Sequence, residues 1–197
     1  MYGDDMDARE RLIESTRELL WERGYVGTSP KAIQQRSDAG QGSMYHHFSG
    51  KHDLALAAIR RNAADLTSRM DADLAGPGSV TERVARYMRR ERAALRGCPV
   101  GRLTMDPDVM ADQELRRPVD DAFAAVRRRL AEVIGEGREN GELDPLVDPV
   151  ATATALVAVL QGGYVLARAA DSADAFTQAV EGTLALLASS SRNGEAT

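Results

Sequence analysis

Residues 29–51 read Ser-Pro-Lys-Ala-Ile-Gln-Gln-Arg-Ser-Asp-Ala-Gly-Gln-Gly-Ser-Met-Tyr-His-His-Phe-Ser-Gly-Lys. Ser29 fits an N-cap, with Pro30 at the first helical position, where its missing N–H costs nothing. Ala32 stands three residues after Ser29, so no capping box completes this start. A short helix is expected over 31–37, anchored by Ile33. Asp38-Ala39-Gly40 makes a turn, and 41–47 form a second short helix. Ser49 is expected to cap a long helix from Gly50 to about Ala75, with Ala55, Ile59, Ala63 and Leu66 on one stripe. Two helices joined by a tight turn can lay the second in the DNA major groove.

The second short helix is crowded with groups that bond nucleic acid. Gln41, at its start, carries an amide that can pair two-fold with adenine N6 and N7. Gly42 has no side chain, so DNA can approach the backbone closely. Ser43, Tyr45 and His47 can donate to phosphates, and His46 can add a base or phosphate contact. Lys31 and Lys51 sit near the starts of the flanking helices, placed to neutralise phosphates. Met44 and Phe48, four apart, are expected in the core. Adjacent histidines point about 100° apart on a helix and do not chelate together, and no Cys or carboxylate has metal-like spacing with them. Neither a metal nor a cofactor is expected.

The net charge of -5 argues against a generally basic nucleic-acid binder. Yet Lys31 and Lys51 are the only lysines, and all 3 histidines lie within 31–52, where Asp38 is the only acid. The positive groups can form one local face, which predicts few phosphate contacts per subunit and a moderate salt dependence.

Working outward, Leu12, Thr16, Leu19 and Leu20 follow helical spacing in a first helix over 6–23, which Gly24 stops. Gly76-Pro77-Gly78-Ser79 breaks the long helix, and an Arg-rich helix over 80–96 follows. Residues 96–112 look irregular, with short helical turns. A long helix over 114–140 is bent or restarted at Pro118 and ends at Gly141. Asp148-Pro149 opens an apolar helix to about Ala170, and Ser172 caps a last helix over 173–189. The segment from Ser190 on is expected to fray. The Arg runs 89–92 and 127–129 read as solvated faces paired with Glu82, Glu91 and Glu132. The expected fold is all-α: an N-terminal three-helix DNA-binding head (1–51) joined by a long helix to a C-terminal helical bundle (52–197).

Several classes are excluded by what is missing. No apolar run looks long enough to cross a membrane, and the acidic N-terminus is not a signal peptide. The single Cys98 permits no intrachain disulfide and is expected as a small buried apolar residue. Gly50-Lys51 ends like a P-loop, but Tyr45 stands where glycine is required. No catalytic signature appears, so a cytoplasmic, non-enzymatic protein is expected.

Residues 9–56 resemble the N-terminal domain of TetR-type bacterial repressors. The resemblance lies in Glu-Arg-Gly-Tyr (22–25), Thr28-Ser29 and Gly-Ser-Met-Tyr-His-His-Phe (42–48) with the trailing Lys51. Gly97-Cys98-Pro99-Val100-Gly101 and Leu160-Gln161-Gly162-Gly163 are similar to the LmrA/YxaF-like subgroup. The sequence departs from the family at Asp38, where glycine is usual, at Gly40, where Ser, Thr or Pro commonly stands, and at Trp21. The resemblance implies that the head residues named above contact a palindromic operator in double-stranded DNA.

The bundle is then expected to do two things. Ala153, Leu156, Val157, Leu160, Tyr164, Thr183, Leu184 and Leu187 are the expected homodimer face, with Gly162-Gly163 allowing close approach. The resemblance implies a small-molecule effector between the bundle helices, and Met88, Leu95, Met105, Met110, Phe123 and Tyr164 are the expected lining. The reading is a ligand-responsive repressor released by a small, mostly apolar effector. Its alternatives are an activating or ligand-independent regulator of the same fold, and a helical small-molecule carrier with a non-functional head.

Overall fold

The computed structural model describes residues 2–190, in which every regular element is helical. The order is α1 (Tyr2–Arg23), α2 (Pro30–Ser37), α3 (Gln41–His47), α4 (Lys51–Ala75), α5 (Val80–Arg89), a 3₁₀ turn (Gly101–Met105), α6 (Pro107–Ala111), α7 (Gln113–Glu139), α8 (Pro149–Ala170) and α9 (Asp174–Ser189). The tail expected to fray lies, from 191 on, outside the described residues. The chain forms two compact units: residues up to Leu66 with Cys98–Ala122, and Thr67–Gly97 with the chain from Phe123.

In the first unit, Leu12, Ile13, Leu19, Ile33, Ala39, Met44, Phe48 and Leu54 make one core cluster. These side chains come from all four of its first helices, so their burial fixes α2 and α3 against α1 and α4. Arg17 ties α1 to α4 by donating to Asn62 Oδ1 at 2.7 Å and pairing with Asp65. Segment 98–122 joins the same unit through Asp106. One carboxylate oxygen accepts from the N–H groups of Tyr25 (2.7 Å) and Val26 (3.1 Å), just past α1. The other caps α6 by accepting from Asp108 and Val109. Arg102 adds a bond from Nη2 to the Glu22 carbonyl at 3.0 Å. Cys98 is buried, and its Sγ accepts from the Gly101 N–H at 3.2 Å.

The second unit is built on α8 and α9 with α5 and the rear of α7. Asp148 caps α8 through the N–H groups of Val150 and Ala151. Gly163 lets α9 pack closely on α8, since a Cβ there would stand 2.9 Å from the Phe176 ring. Ser79 and Glu82 form a reciprocal capping box at the start of α5.

Several details differ from expectation. Gly50, not Ser49, immediately precedes α4. The Asp53 carboxylate reaches back to the Ser49 N–H at 3.1 Å, so the acid within the helix does the capping. Helix α5 ends at Arg89 rather than 96, because Arg92 folds back onto the carbonyls of Tyr87, Met88 and Arg90. Helix α7 is one element, with Pro118 in its second turn. Only part of the Arg runs is solvated: Arg129 does pair with Glu132, but Arg90 binds Asp73 at 2.8 Å. The expectation of no membrane-length apolar run also fails on composition. Among the described residues Pro149–Ala170 is long and apolar enough, because alanines carry apolarity around both faces.

Replacing Asp106 by Ala should strand buried N–H groups beside Tyr25 and α6. A loss of about 1–3 kcal/mol is expected, read as a lower urea midpoint at unchanged slope.

Candidate nucleic-acid interface

The α2–turn–α3 unit is set by three local choices. The Ser29 hydroxyl accepts from the Ala32 N–H at 3.1 Å with Pro30 in the first turn, as its sequence foretold. Asp38 ends α2 with φ 51 and ψ 37, the left-handed geometry that aspartate tolerates at modest cost. Gly40 precedes α3 and has no side chain with which to cap it.

Burial then sorts the faces of α3. Met44 is fully buried and Phe48, at its C-cap, nearly so. Gln41, Gly42, Tyr45 and His46 are exposed, while Ser43 and His47 are half-buried. At about 100° per residue these four exposed positions span an arc of roughly 140°. The arc carries an amide, a bare backbone, a phenol and an imidazole. The His46 and His47 rings meet edge-on at 5.0 Å, and His47 meets Phe48 at 6.4 Å. A Cβ built on Gly42 meets nothing within 4 Å, so the protein's own packing does not require glycine there.

The flanking lysines differ. Lys31 is exposed in the first turn of α2. Lys51 is half-buried, with Nζ 4.0 Å from the centre of the Tyr25 ring. Burial pushes its amine down, against the pull of Asp106 and Asp108. Burial, then the charges of Asp112, Asp108 and Asp106, pushes the Tyr25 phenol up. His52 Nε2 lies 2.9 Å from Asp112, whose carboxyl is held down mainly by the Leu115 N–H. The lysine expected to face phosphate is thus partly engaged by an aromatic ring, a contact that spacing alone did not reveal.

The residues expected in the bundle are placed unevenly. Met88 is fully buried and Tyr164 nearly so, with its ring 4.8 Å from Phe176. Phe123 and Met110 are half-buried. Leu95 and Met105 are exposed, Met105 to 84%, so neither lines an enclosed cavity within its unit. Ala153, Leu156, Val157, Leu160, Tyr164, Leu184 and Leu187 are buried within the single chain, and Thr183 is half-buried with its hydroxyl on the Ala179 carbonyl. They pack inside the subunit, so they are not a face open to a second copy. The outward stripe of α8 is instead Ala151, Ala155, Ala158, Gly162, Val165 and Leu166, and α9 adds Leu186.

A short helix with an anchored apolar side and an outward polar arc, behind a capped helix and tight turn, defines a helix-turn-helix DNA-binding regulator. Residues 12–58 match the family described as "Bacterial regulatory proteins, tetR family", and residues 77–183 match "Tetracyclin repressor-like, C-terminal domain". The chain belongs to the TetR family of transcriptional regulators. It is similar to the HTH-type transcriptional repressor NemR of Escherichia coli, 24% identical over 169 residues, 82% of this chain and 84% of NemR. A cysteine-substituted CifR bound to 26 bp of operator DNA shares the fold, with TM-score 0.78, 23% identity and coverage of 90% and 95% of the two chains. So does FadR of Bacillus subtilis in complex with stearoyl-CoA, with TM-score 0.72, 17% identity and coverage of 92% and 98%.

Gly42→Ala should leave the thermal midpoint unchanged or slightly raised, since alanine favours helix by about 0.5–1 kcal/mol. The same change should weaken DNA binding if α3 lies against the duplex. Gln41→Ala should cost about 1–3 kcal/mol on the specific site and little on random DNA. Equal loss on every duplex would show that Gln41 reads no base. Both are measured by anisotropy titration.

Proposed function

We propose that this protein is a dimeric repressor that binds a palindromic operator through Lys31, Gln41, Gly42, Ser43, Tyr45, His46, His47 and Lys51. The observation that carries this reading is the exposed polar arc of α3 held over the buried Met44 and Phe48. By task, residues 1–51 bind DNA and 52–197 serve dimerisation and effector binding. The protein works in the cytoplasm and catalyses no reaction. The segments 97–101 and 160–163 support placement in the LmrA/YxaF-like subgroup.

A second copy covers the outward stripe of α8 and α9. Val165 is 67% exposed and Leu186 72%, large apolar surfaces that water disfavours. A two-fold pairing there would present two α3 helices to two half-sites. A small, largely apolar effector in the second unit, against Met88, Phe123 and Tyr164, releases DNA by binding the DNA-incompetent state more tightly. Equal affinity for both states would shift nothing.

Fluorescence anisotropy on DNA from immediately upstream of its own gene, beside a scrambled duplex and across a salt series, tests the function. Tight, salt-dependent preference for the upstream duplex is expected. Absence of binding to either duplex at low salt would discredit the reading. Leu186→Glu should yield a folded monomer by sedimentation, with operator affinity sharply reduced. A persistent dimer would place the interface elsewhere.

A further inference from the structure

Arg92 stands apart from the other arginines of its run. Arg89 pairs with Glu181 at 2.6 Å and Arg90 with Asp73 at 2.8 Å. Among the described residues no carboxylate lies within ion-pair distance of Arg92, although its side chain is half-buried. Its guanidinium turns inward over the end of α5. Nη1 donates to the carbonyls of Met88 (2.9 Å) and Arg90 (2.8 Å), and Nη2 donates to that of Tyr87 (2.6 Å). The Tyr87 ring centre lies 5.2 Å away, and the Tyr164 phenol is close enough to contribute electrostatically.

These bonds leave a specific remainder. A guanidinium has five N–H donors, and a carboxylate binds a planar edge with two of them. The three carbonyls take up Nη1 and one hydrogen of Nη2. The Nε–H and the second Nη2–H form the other edge, and among the described residues no hydrogen bond occupies it. The carbonyl end of α5 offers only a fraction of a negative charge. Burial, helped by the like charge of Arg90, lowers the pKa of the group against the pull of Tyr164, Tyr87 and Asp73. Tyr87, Met88 and Tyr164 supply apolar and aromatic surroundings, and the one carboxylate that acts on the group from a distance, Asp73, is already paired with Arg90.

We propose that the effector carries a carboxylate, and that this group binds the Nε/Nη2 edge of Arg92 while its apolar body lies against Tyr87, Met88 and Tyr164. The proposal rests on the effector-responsive reading above and sharpens it from an apolar ligand to an organic acid. The acidic pair Asp106 and Asp108, which could have suggested a cationic ligand, does not compete for that role. Asp106 is buried and its carboxylate is taken by main-chain N–H groups.

The test uses the intact protein with benzoate and octanoate as probes, against benzamide and octanamide. The Arg92 Nε–H resonance, assigned from its disappearance in Arg92→Lys, is followed by ¹⁵N NMR, and operator affinity is read in parallel. Saturable displacement of that resonance by an acid, with weakened operator binding and no effect of the amides, is expected. Arg92→Lys retains the charge but loses the planar fork, and should weaken acid binding about tenfold. The wild-type resonance reports even if the variant folds poorly, and a capping role alone would not make it respond to acids. Equal response to amides, no response to either acid, or acid binding that leaves operator affinity unchanged would overturn the proposal. Failure of the untreated protein to bind operator would strike the repressor reading instead.

Discussion

Helix α3 is 7 residues long, too short to hold itself together in water. Its first residue lacks even a side-chain cap, because Gly40 stands before it. What keeps it helical is the burial of Met44 and Phe48 among Ile33, Leu12 and Leu54. Each fully buried side chain of this size is worth about 1.5–3 kcal/mol, more than nucleating the helix recovers locally. The same burial fixes the helix's rotation, so Gln41 and Tyr45 face outward as a consequence of where Met44 goes. The proposed recognition surface and the fold are therefore set by one packing decision, and a change at Met44 would disturb both.

Asp106 imposes a second constraint from far along the chain. A carboxylate eighty-one positions from Tyr25 terminates α1 and starts α6. Gly24 is fitted to it, since a Cβ there would stand 2.7 Å from its oxygen. Segment 98–122 thus belongs physically with the head, although in sequence it lies beyond α5. Any displacement of α6 must break these bonds or carry the end of α1 with it.

Much of the helical framework was legible because its signals are local. Ser29-Pro30, the Asp38 turn, Asp148-Pro149 and Gly141 act through their own backbone, and the structure bears them out. The end of α5 was illegible because it depends on Arg92 folding back, and a run of arginines reads as helix-forming wherever it points. The inner and outer faces of α8 were exchanged for a different reason. Residues 153, 156, 160, 164 and 167 and residues 151, 155, 158, 162 and 165 both follow helical spacing. Periodicity reveals a stripe but cannot tell which of two apolar stripes meets the chain's own α9. Gly163 marks the inner one, because only there does a Cβ strike Phe176, while Gly162 faces open space. The Lys51–Tyr25 contact joins two helices' ends through a ring and left no mark in spacing.

A helix clad in apolar residues on both sides also bears on the life of a newly made chain. Under the pairing proposed above, a lone subunit leaves its outer stripe wet and forgoes whatever stability association confers. Its persistence then depends on how many copies are present, since association follows mass action. Scarce chains would spend longer exposed to proteases and to wrong partners, and abundant ones less. The small alanines that make the stripe would soften this threshold, offering enough surface to pair and less to aggregate than a leucine-rich face.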